Sequence, residues 1–216
     1  MTQSYTTRLN AILRNSVTPL VASEGFTHGG NIYTRYLDNH QPIWMVEVQR
    51  GRWSNNEKVD FTLNCGVLIP GLIPIYTNRP ESRQYTLTDC CIYTRVGMLH
   101  PDRLDKWWSL TSNDVATADN DISNDLDQRI REGVMPFLRR FPSFQDAMLF
   151  LAGQRSTADK FVAPQNDSIA LCYAAIIAKL LSRQGMVVDY INRAAEQSKK
   201  SPNADIVIDL RNRLMM

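Results

Sequence analysis

The residues best suited to bind a ligand lie at alternate positions of three predicted strands. If these strands are neighbours in one sheet, the following side chains point to the same side: Glu47, Gln49, Asp60, Thr62, Asn64, Tyr93 and Arg95. Arg95 would supply a planar fork for a carboxylate or phosphate, and Asn64 and Gln49 would orient that group. The tyrosine ring would form a flat apolar wall. This face predicts a site for a small anion or a peptide. The alternative is an ordinary solvated sheet face on which Arg95 pairs with Asp60 or Glu47.

Two tryptophan neighbourhoods are further candidates for contact with a partner protein. Trp107 and Trp108 are adjacent, so only one can face inward on a regular element, and the other can contact a partner or stack under the 69–82 loop. We assign a binding role to Trp108 and to Trp53. Trp53 follows Arg50-Gly-Arg52, and guanidinium groups beside an indole are also how single-stranded nucleic acid is gripped. The formal net charge is only +2 and no basic run occurs, so nucleic acid is an unfavoured partner.

No constellation typical of an active site or a metal site occurs in the sequence. His100-Pro-Asp102 lies at the end of a predicted strand, but no serine or cysteine in a strained turn is visible to partner it. The four cysteines lack C-x-x-C spacing, and only three scattered histidines accompany them. We therefore predict no catalytic residue, no metal and no cofactor, and we interpret the cysteines as reduced thiols. Enzymatic activity stays an open question, and the pattern favours a non-enzymatic protein.

The chain is expected to be cytoplasmic and to have no membrane partner. Its first residues are polar and amphipathic, without the charged segment and unbroken apolar stretch of a signal peptide. The longest uncharged stretch, residues 61–78, is interrupted by prolines and glycines, and this pattern argues against a membrane-spanning helix.

The elements that must position these residues follow from the hydrophobic periodicity. Apolar residues at helical spacing over 9–21 predict a first helix that bends at Pro19 and stops near Gly25. Four strands follow, and strict alternation over 59–67 is the clearest strand signal. The predicted strands are 32–37, 43–50, 59–67 and 90–98, with a weaker fifth at 107–110. The fold class is α+β, with a curved antiparallel sheet of about four strands packed against helices.

The second half of the chain is predicted to be helical. Apolar residues recur at steps of three and four over 122–141, and Ser143 caps a short helix that stops near Gly153. Three more helices are predicted at 167–184, 186–199 and 202–215. The predicted domains are therefore an α+β domain at 1–153 and a helical extension at 154–216. The extension resembles a tetratricopeptide-type hairpin, and we expect it to dock on the main domain.

Several short motifs, taken in their order along the chain, resemble those of a known protein family. Along the chain they are Gly25-Phe26, Tyr33-Thr-Arg-Tyr36, Val46-Glu-Val-Gln49, Phe61-Thr-Leu-Asn-Cys-Gly-Val67, Tyr93-Thr-Arg-Val-Gly97 and Trp107-Trp108. In this order they resemble a bacterial family described as a domain of unknown function, DUF4304, over about residues 5–150. The resemblance implies a bacterial cytoplasmic α+β domain. It implies no catalytic residue, because the family has no established activity to carry over.

Two functional hypotheses stay open at this point. The first is a non-enzymatic protein-interaction module whose partner is another protein. Small domains of this kind sometimes serve as immunity proteins, and we use that only as an analogy. The second hypothesis is a small-molecule or anion-binding protein, or an unrecognised enzyme, centred on Arg95 and Asn64.

Overall fold

The computed structural model describes residues 4–38, 41–52, 54, 58–80, 84–111 and 115–216, with only the backbone described at 115 and 116. Within these ranges most of the strands precede most of the helices, which is the segregated order expected for an α+β chain. None of the described helices is long and apolar enough to cross a membrane.

The N-terminal helix is built in three pieces. Helix α1 spans Tyr5–Ile12, a π-helical turn spans Leu13–Val17, and helix α2 spans Thr18–Ser23. The π-helical turn ends two residues before Pro19, which has no N–H to donate to the carbonyl four residues earlier. The same arrangement recurs before Pro136, where the turn Ile130–Val134 leads into a short helix. The predicted helix is therefore confirmed, with a local widening at its proline.

Within the described residues six strands form one open antiparallel sheet, which confirms the predicted fold class. The weaker fifth strand expected at 107–110 is present, and the short strand at Thr27–Gly29 is the one that was not predicted. The six strands are β1 (Thr27–Gly29), β2 (Ile32–Tyr36), β3 (Ile43–Arg50), β4 (Val59–Leu68), β5 (Ile92–Arg95) and β6 (Trp108–Leu110). Their order is β1-β2-β3-β4-β5, and β6 also pairs with β4. In the outer hairpin, Thr27 faces Thr34 across the β1–β2 pair.

Strands β5 and β6 share one edge of β4. The N–H of Gly51, at the end of β3, donates to the carbonyl of Asp60, while Phe61 of β4 is paired with Trp108 of β6. Because β3 occupies one edge of β4, β6 must lie on the other edge, beside β5. Residues 96–107, which connect β5 to β6, therefore form an excursion that leaves this edge of β4 and returns to it. Gly97 lies inside that excursion, where a Cβ would come within 2.1 Å of the Leu104 carbonyl oxygen, so only glycine fits.

The remaining helices occupy the second half of the chain, with one exception. They are α3 (Leu72–Thr77), α4 (Val115–Arg129), α5 (Met135–Leu138), α6 (Phe144–Leu151), α7 (Asp167–Leu180), α8 (Gln184–Ser198) and α9 (Ala204–Met215). Helix α3 lies in the segment that the sequence predicts as a loop. Helix α7 ends four residues earlier than predicted, because Ser182 adopts a left-handed conformation (φ 57°) that the pattern assigned to Gly185. Gly185 instead lies in the first turn of α8.

The chain divides into two compact units, and each is formed from several segments. The first unit comprises Met1–Tyr36, Trp44–Gly66 and Thr94–Arg140, and its interior includes Leu9, Met45, Phe61, Leu63 and Leu126. The second unit comprises Leu37–Ile43, Val67–Tyr93 and Phe141–Met216, and in it α7 packs against α3, α6, α8 and α9. The predicted domain boundary after residue 153, and the docking of a tail, stay predictions.

Candidate functional site

Asn64 connects two polar side chains of the neighbouring strand in the first unit. Its amide nitrogen donates to the Gln49 Oε1 at 2.9 Å and to the Glu47 Oε2 at 3.4 Å. Asn64 lies on β4 in the middle of the sheet and is only 6% exposed, so its polar atoms need partners within the protein. The result is a fixed arrangement in which one buried amide holds a carboxylate and a second amide side by side.

These side chains form one wall of an open cleft of about 460 Å³, which we call the polar cleft. Residues 47–50 of β3 line it on one side, Leu9, Asn10 and Leu13 on a second, and the β1–β2 turn at Gly30-Asn31 on a third. Asn31 is anchored to β3 by its side-chain amide, which donates to the Val48 carbonyl at 3.1 Å, and by its own carbonyl, which accepts from the Val48 N–H at 2.8 Å. The cleft is therefore framed by hydrogen-bonded backbone.

No described side chain forms an ion pair with either of the two charged groups that line the polar cleft, Glu47 and Arg50. Among the described residues, Glu47 has Asn64 as its hydrogen-bond partner and no cationic partner. The exposed guanidinium of Arg50 forms no ion pair within the same part of the chain. A half-buried carboxylate surrounded by amide groups can accept hydrogen bonds from an ammonium or guanidinium group. The described residues that line the cleft offer hydrogen-bond donors and acceptors and include no serine, threonine or cysteine.

Arg95 is engaged elsewhere in the first unit. Its Nη1 donates to both carboxylate oxygens of Asp105 at 2.7 and 2.6 Å, and its guanidinium lies 5.1 Å from the ring centre of Trp107. Trp107 in turn donates its indole N–H to Asp105. The expected pairing of Arg95 with Asp60 or Glu47 is therefore replaced by a pair with Asp105. An anion at Arg95 would have to displace a carboxylate that is already in place.

Thr62 and Trp108 lie in the interior of the first unit. Thr62 is fully buried and donates its hydroxyl to the Lys106 carbonyl at 2.7 Å. Trp108 is 4% exposed, and its ring stacks on Phe61 with 5.4 Å between the ring centres. Its indole N–H donates to Asp125 at 2.8 Å. The structure thus places both side chains where they support packing, and a binding role for either stays a prediction.

Tyr93 and Trp53 are the remaining predicted site residues. Tyr93 belongs to the second unit and is 42% exposed, and its backbone exchanges two hydrogen bonds with Ala163, at 2.8 and 3.4 Å. Trp53 lies outside the described residues. Of the predicted set, the structure therefore brings Asn64 and Gln49 together and distributes Arg95, Thr62 and Trp108 among other contacts. Sequence reasoning missed Asn10 and Asn31, whose only signal was their place beside a predicted helix face and a Gly-Gly turn.

A charge cluster ties the 96–107 excursion to α4. Asp125 accepts from Lys106 Nζ at 2.9 Å, from Arg129 Nε at 2.8 Å and from the Trp108 indole. Burial disfavours the charged form of Asp125, but these three donors outweigh it and hold the pKa of that carboxyl below its usual value. Asp125 is therefore ionised at neutral pH, and Lys106 and Arg129 are its ion-pair partners.

The histidine and cysteine side chains show no catalytic or metal-binding arrangement in the described part of the chain. His100 Nδ1 lies 3.2 Å from Asp102, and no described serine or cysteine hydrogen-bonds to it. All four cysteines are buried and none is in a disulfide, and burial raises the pKa of Cys91 and of Cys172 to about 12. The described residues contain no group of three histidine, cysteine or acidic side chains that could hold a metal ion.

Comparison with known proteins agrees with the motif order noted in the sequence. A family model matches residues 17–140, which is more than half of the chain. No curated protein and no solved structure matches the chain. The matched span contains all six strands and the polar side chains of the cleft contributed by β3. The chain therefore belongs to the family described as Domain of unknown function (DUF4304).

Proposed function

We propose that the chain is a bacterial cytoplasmic, non-enzymatic protein-interaction module that takes a lysine or arginine side chain of its partner into the polar cleft. The proposed biological role is of the immunity type, in which the module blocks a second protein by binding to it. That role rests on analogy with other small domains.

The observation that carries the proposal is the carboxylate of Glu47. It is half-buried, it is held in place by Asn64, and no cation pairs with it in the described ranges. A partly desolvated carboxylate without a cation is less stable than one with a cation, so a guanidinium or ammonium group entering the cleft gains a charge-assisted hydrogen bond. The amide oxygens of Gln49, Asn10 and Asn31 line the same cleft and can accept further N–H groups of an arginine.

The size of the cleft and the charge of the chain support a local, side-chain type of recognition. A volume of about 460 Å³ lies within the range of about 300–1,000 Å³ that is usual for small-ligand pockets. The net charge of +2 gives no long-range attraction for a basic partner. Recognition then depends on contact at Glu47, and the rate of association is expected to change little with ionic strength.

The test is a selection from a random peptide library displayed on phage, with the wild-type chain as bait. Glu47→Gln serves as the counter-bait, because glutamine keeps the size of the side chain and an oxygen for Asn64 but removes the charge. Glu132→Gln is the matched control, since Glu132 is exposed and lies outside the cleft. Hits are then measured individually with all three proteins.

We expect the selected peptides to be enriched in lysine or arginine. Their affinity should fall about 10- to 100-fold in Glu47→Gln, the range for a hydrogen bond to a charged group, and stay unchanged in Glu132→Gln. Peptides that bind Glu47→Gln as well as wild type would refute the proposal. Enrichment of acidic peptides that lose affinity in Arg50→Gln would also refute it, because the cleft would then bind anions at Arg50.

A further inference from the structure

The second unit contains a half-open hollow beside α3 that the proposed function does not use. It has a volume of about 220 Å³, and its apolar wall is formed by Leu68 and Ile69 at the end of β4 and by Ile73 and Pro74 of α3. Among the described residues, Arg79 and Asp89 are the charged ones that line it. We call this the α3 cavity. An apolar wall with a few polar groups is typical of sites that bind small ligands.

Contacts with α7 and α9 hold the α3 wall of the cavity in place. Arg213 of α9 donates to the carbonyls of Ile75 and Tyr76, which are at the C-terminal end of α3. The Tyr76 ring meets the Tyr173 ring edge-on, with 5.0 Å between the ring centres. Asn78 then ends the helix in a left-handed conformation (φ 55°). A cavity preformed in this way spends little binding energy on ordering its own wall.

The two charged groups of the cavity differ in their availability. Asp89 Oδ2 accepts from the Thr86 N–H at 2.8 Å and from the Thr86 hydroxyl at 3.0 Å, so this carboxylate is committed to capping a short turn. Arg79 is exposed, and its guanidinium forms no ion pair with any residue in the described part of the chain. The charge that can pair with a ligand is therefore positive.

We propose that the α3 cavity binds a small monocarboxylate with a branched or aromatic apolar body. The body lies against Leu68, Ile69 and Ile73, and the carboxylate pairs with Arg79. The volume is below the range of about 300–1,000 Å³ of pockets for drug-sized ligands, which excludes a nucleotide or a large cofactor. Asp89 disfavours a second negative charge on the ligand, because like charges repel at short range.

This inference does not rest on the polar cleft, and it is tested with defined probes. The full-length protein labelled with ¹⁵N is titrated with 4-methylpentanoate and with phenylacetate, and amide shifts are followed by NMR. Phenylacetamide removes the charge from the same apolar body, and succinate adds a second carboxylate. Arg79→Gln removes the proposed partner, and Arg14→Gln, at an exposed arginine of the first unit, is the matched control.

The expected result is saturable shifts confined to 68–80 and 84–89, with a dissociation constant near or below about 1 mM for a ligand of this size. Arg79→Gln should weaken binding about tenfold, and Arg14→Gln should leave it unchanged. Phenylacetamide and succinate should bind at least about tenfold more weakly than phenylacetate. Absence of saturable shifts, equal binding of the amide, or unchanged binding in Arg79→Gln would overturn the proposal.

Discussion

Replacing Trp108 with alanine should lower the free energy of unfolding by about 3–5 kcal/mol, the range for deleting a buried tryptophan side chain. The ring is almost fully buried and stacks on Phe61, and its N–H donates to Asp125. Truncation of Trp108 leaves a cavity that the surrounding side chains can only partly fill. It also removes one of the three hydrogen-bond donors to the Asp125 carboxylate. This cost concerns stability, and it must be separated from any role in partner binding.

Two further variants divide that cost into its parts. Trp108→Phe keeps most of the apolar ring and loses the hydrogen bond to Asp125, so we expect a loss of about 1–3 kcal/mol. Trp107→Ala is the matched neighbour: this ring is half-exposed and stacks with Arg95, and its loss should cost about 1–2 kcal/mol. We expect Trp108→Ala to lose the most stability and Trp108→Phe to lose less. The loss in Trp107→Ala should be well below that in Trp108→Ala.

The assay is equilibrium unfolding in urea, followed by far-UV circular dichroism so that the removal of a fluorophore does not alter the signal. The m-values of wild type and variants are compared, because equal slopes show that the same surface is exposed on unfolding. A loss below about 1 kcal/mol for Trp108→Ala, or one equal to that of Trp107→Ala, would refute the reasoning from burial.

Three further predictions concern charge and thiols in the folded chain. Arg8 is 4% exposed and pairs with Asp119 at 2.6 Å, so Asp119→Ala should lower the free energy of unfolding in urea by about 3–5 kcal/mol. The double variant Arg8→Met/Asp119→Leu should recover most of that stability, because it leaves no buried charge without a partner. A double variant as unstable as Asp119→Ala would contradict this prediction. The lowered pKa of Asp125 contributes stability that is present above the ordinary value of 3.8 and is lost as pH falls through the lowered value. The stability difference between wild type and Asp125→Asn should therefore shrink in acid, and a difference independent of pH would exclude this role. The four buried cysteines should not react with a disulfide reagent at about pH 8 until the chain is unfolded, because the reagent cannot reach them and the raised pKa keeps the thiols of Cys91 and Cys172 protonated. Rapid labelling of the native protein would contradict their burial.

Local patterns were sufficient to predict most of the sheet. The alternation over 59–67 became β4, because a central strand must present every second residue to the same side. The β2 and β3 strands followed from β-branched and aromatic runs bounded by turn residues. Helix α3 was missed because two prolines and a glycine flank or enter it, although Pro74 falls in its first turn, where a missing N–H costs nothing.

The candidate site was predicted less well than the sheet. The alternation correctly predicted that Asn64 and Gln49 lie within reach of each other, because the two-residue repeat of a strand determines which side of the sheet each side chain faces. It could not show that Thr62 and Asn64 would be covered, because the repeat defines the side of a strand and not what packs on it. It also could not show that Arg95 would pair with Asp105, which lies in an excursion of irregular backbone.

The sequence by itself determined the α+β class, the antiparallel pairing, the helical second half and the family, because these depend on short repeats and on the order of motifs. Only the tertiary structure decided which polar side chains are neutralised inside the chain and which are left for a ligand. Glu47 and Arg79 have no ion-pair partner among the described residues, whereas Arg95 and Asp125 do. That difference arises from contacts between segments far apart in sequence, and such contacts are formed by packing rather than by any local pattern.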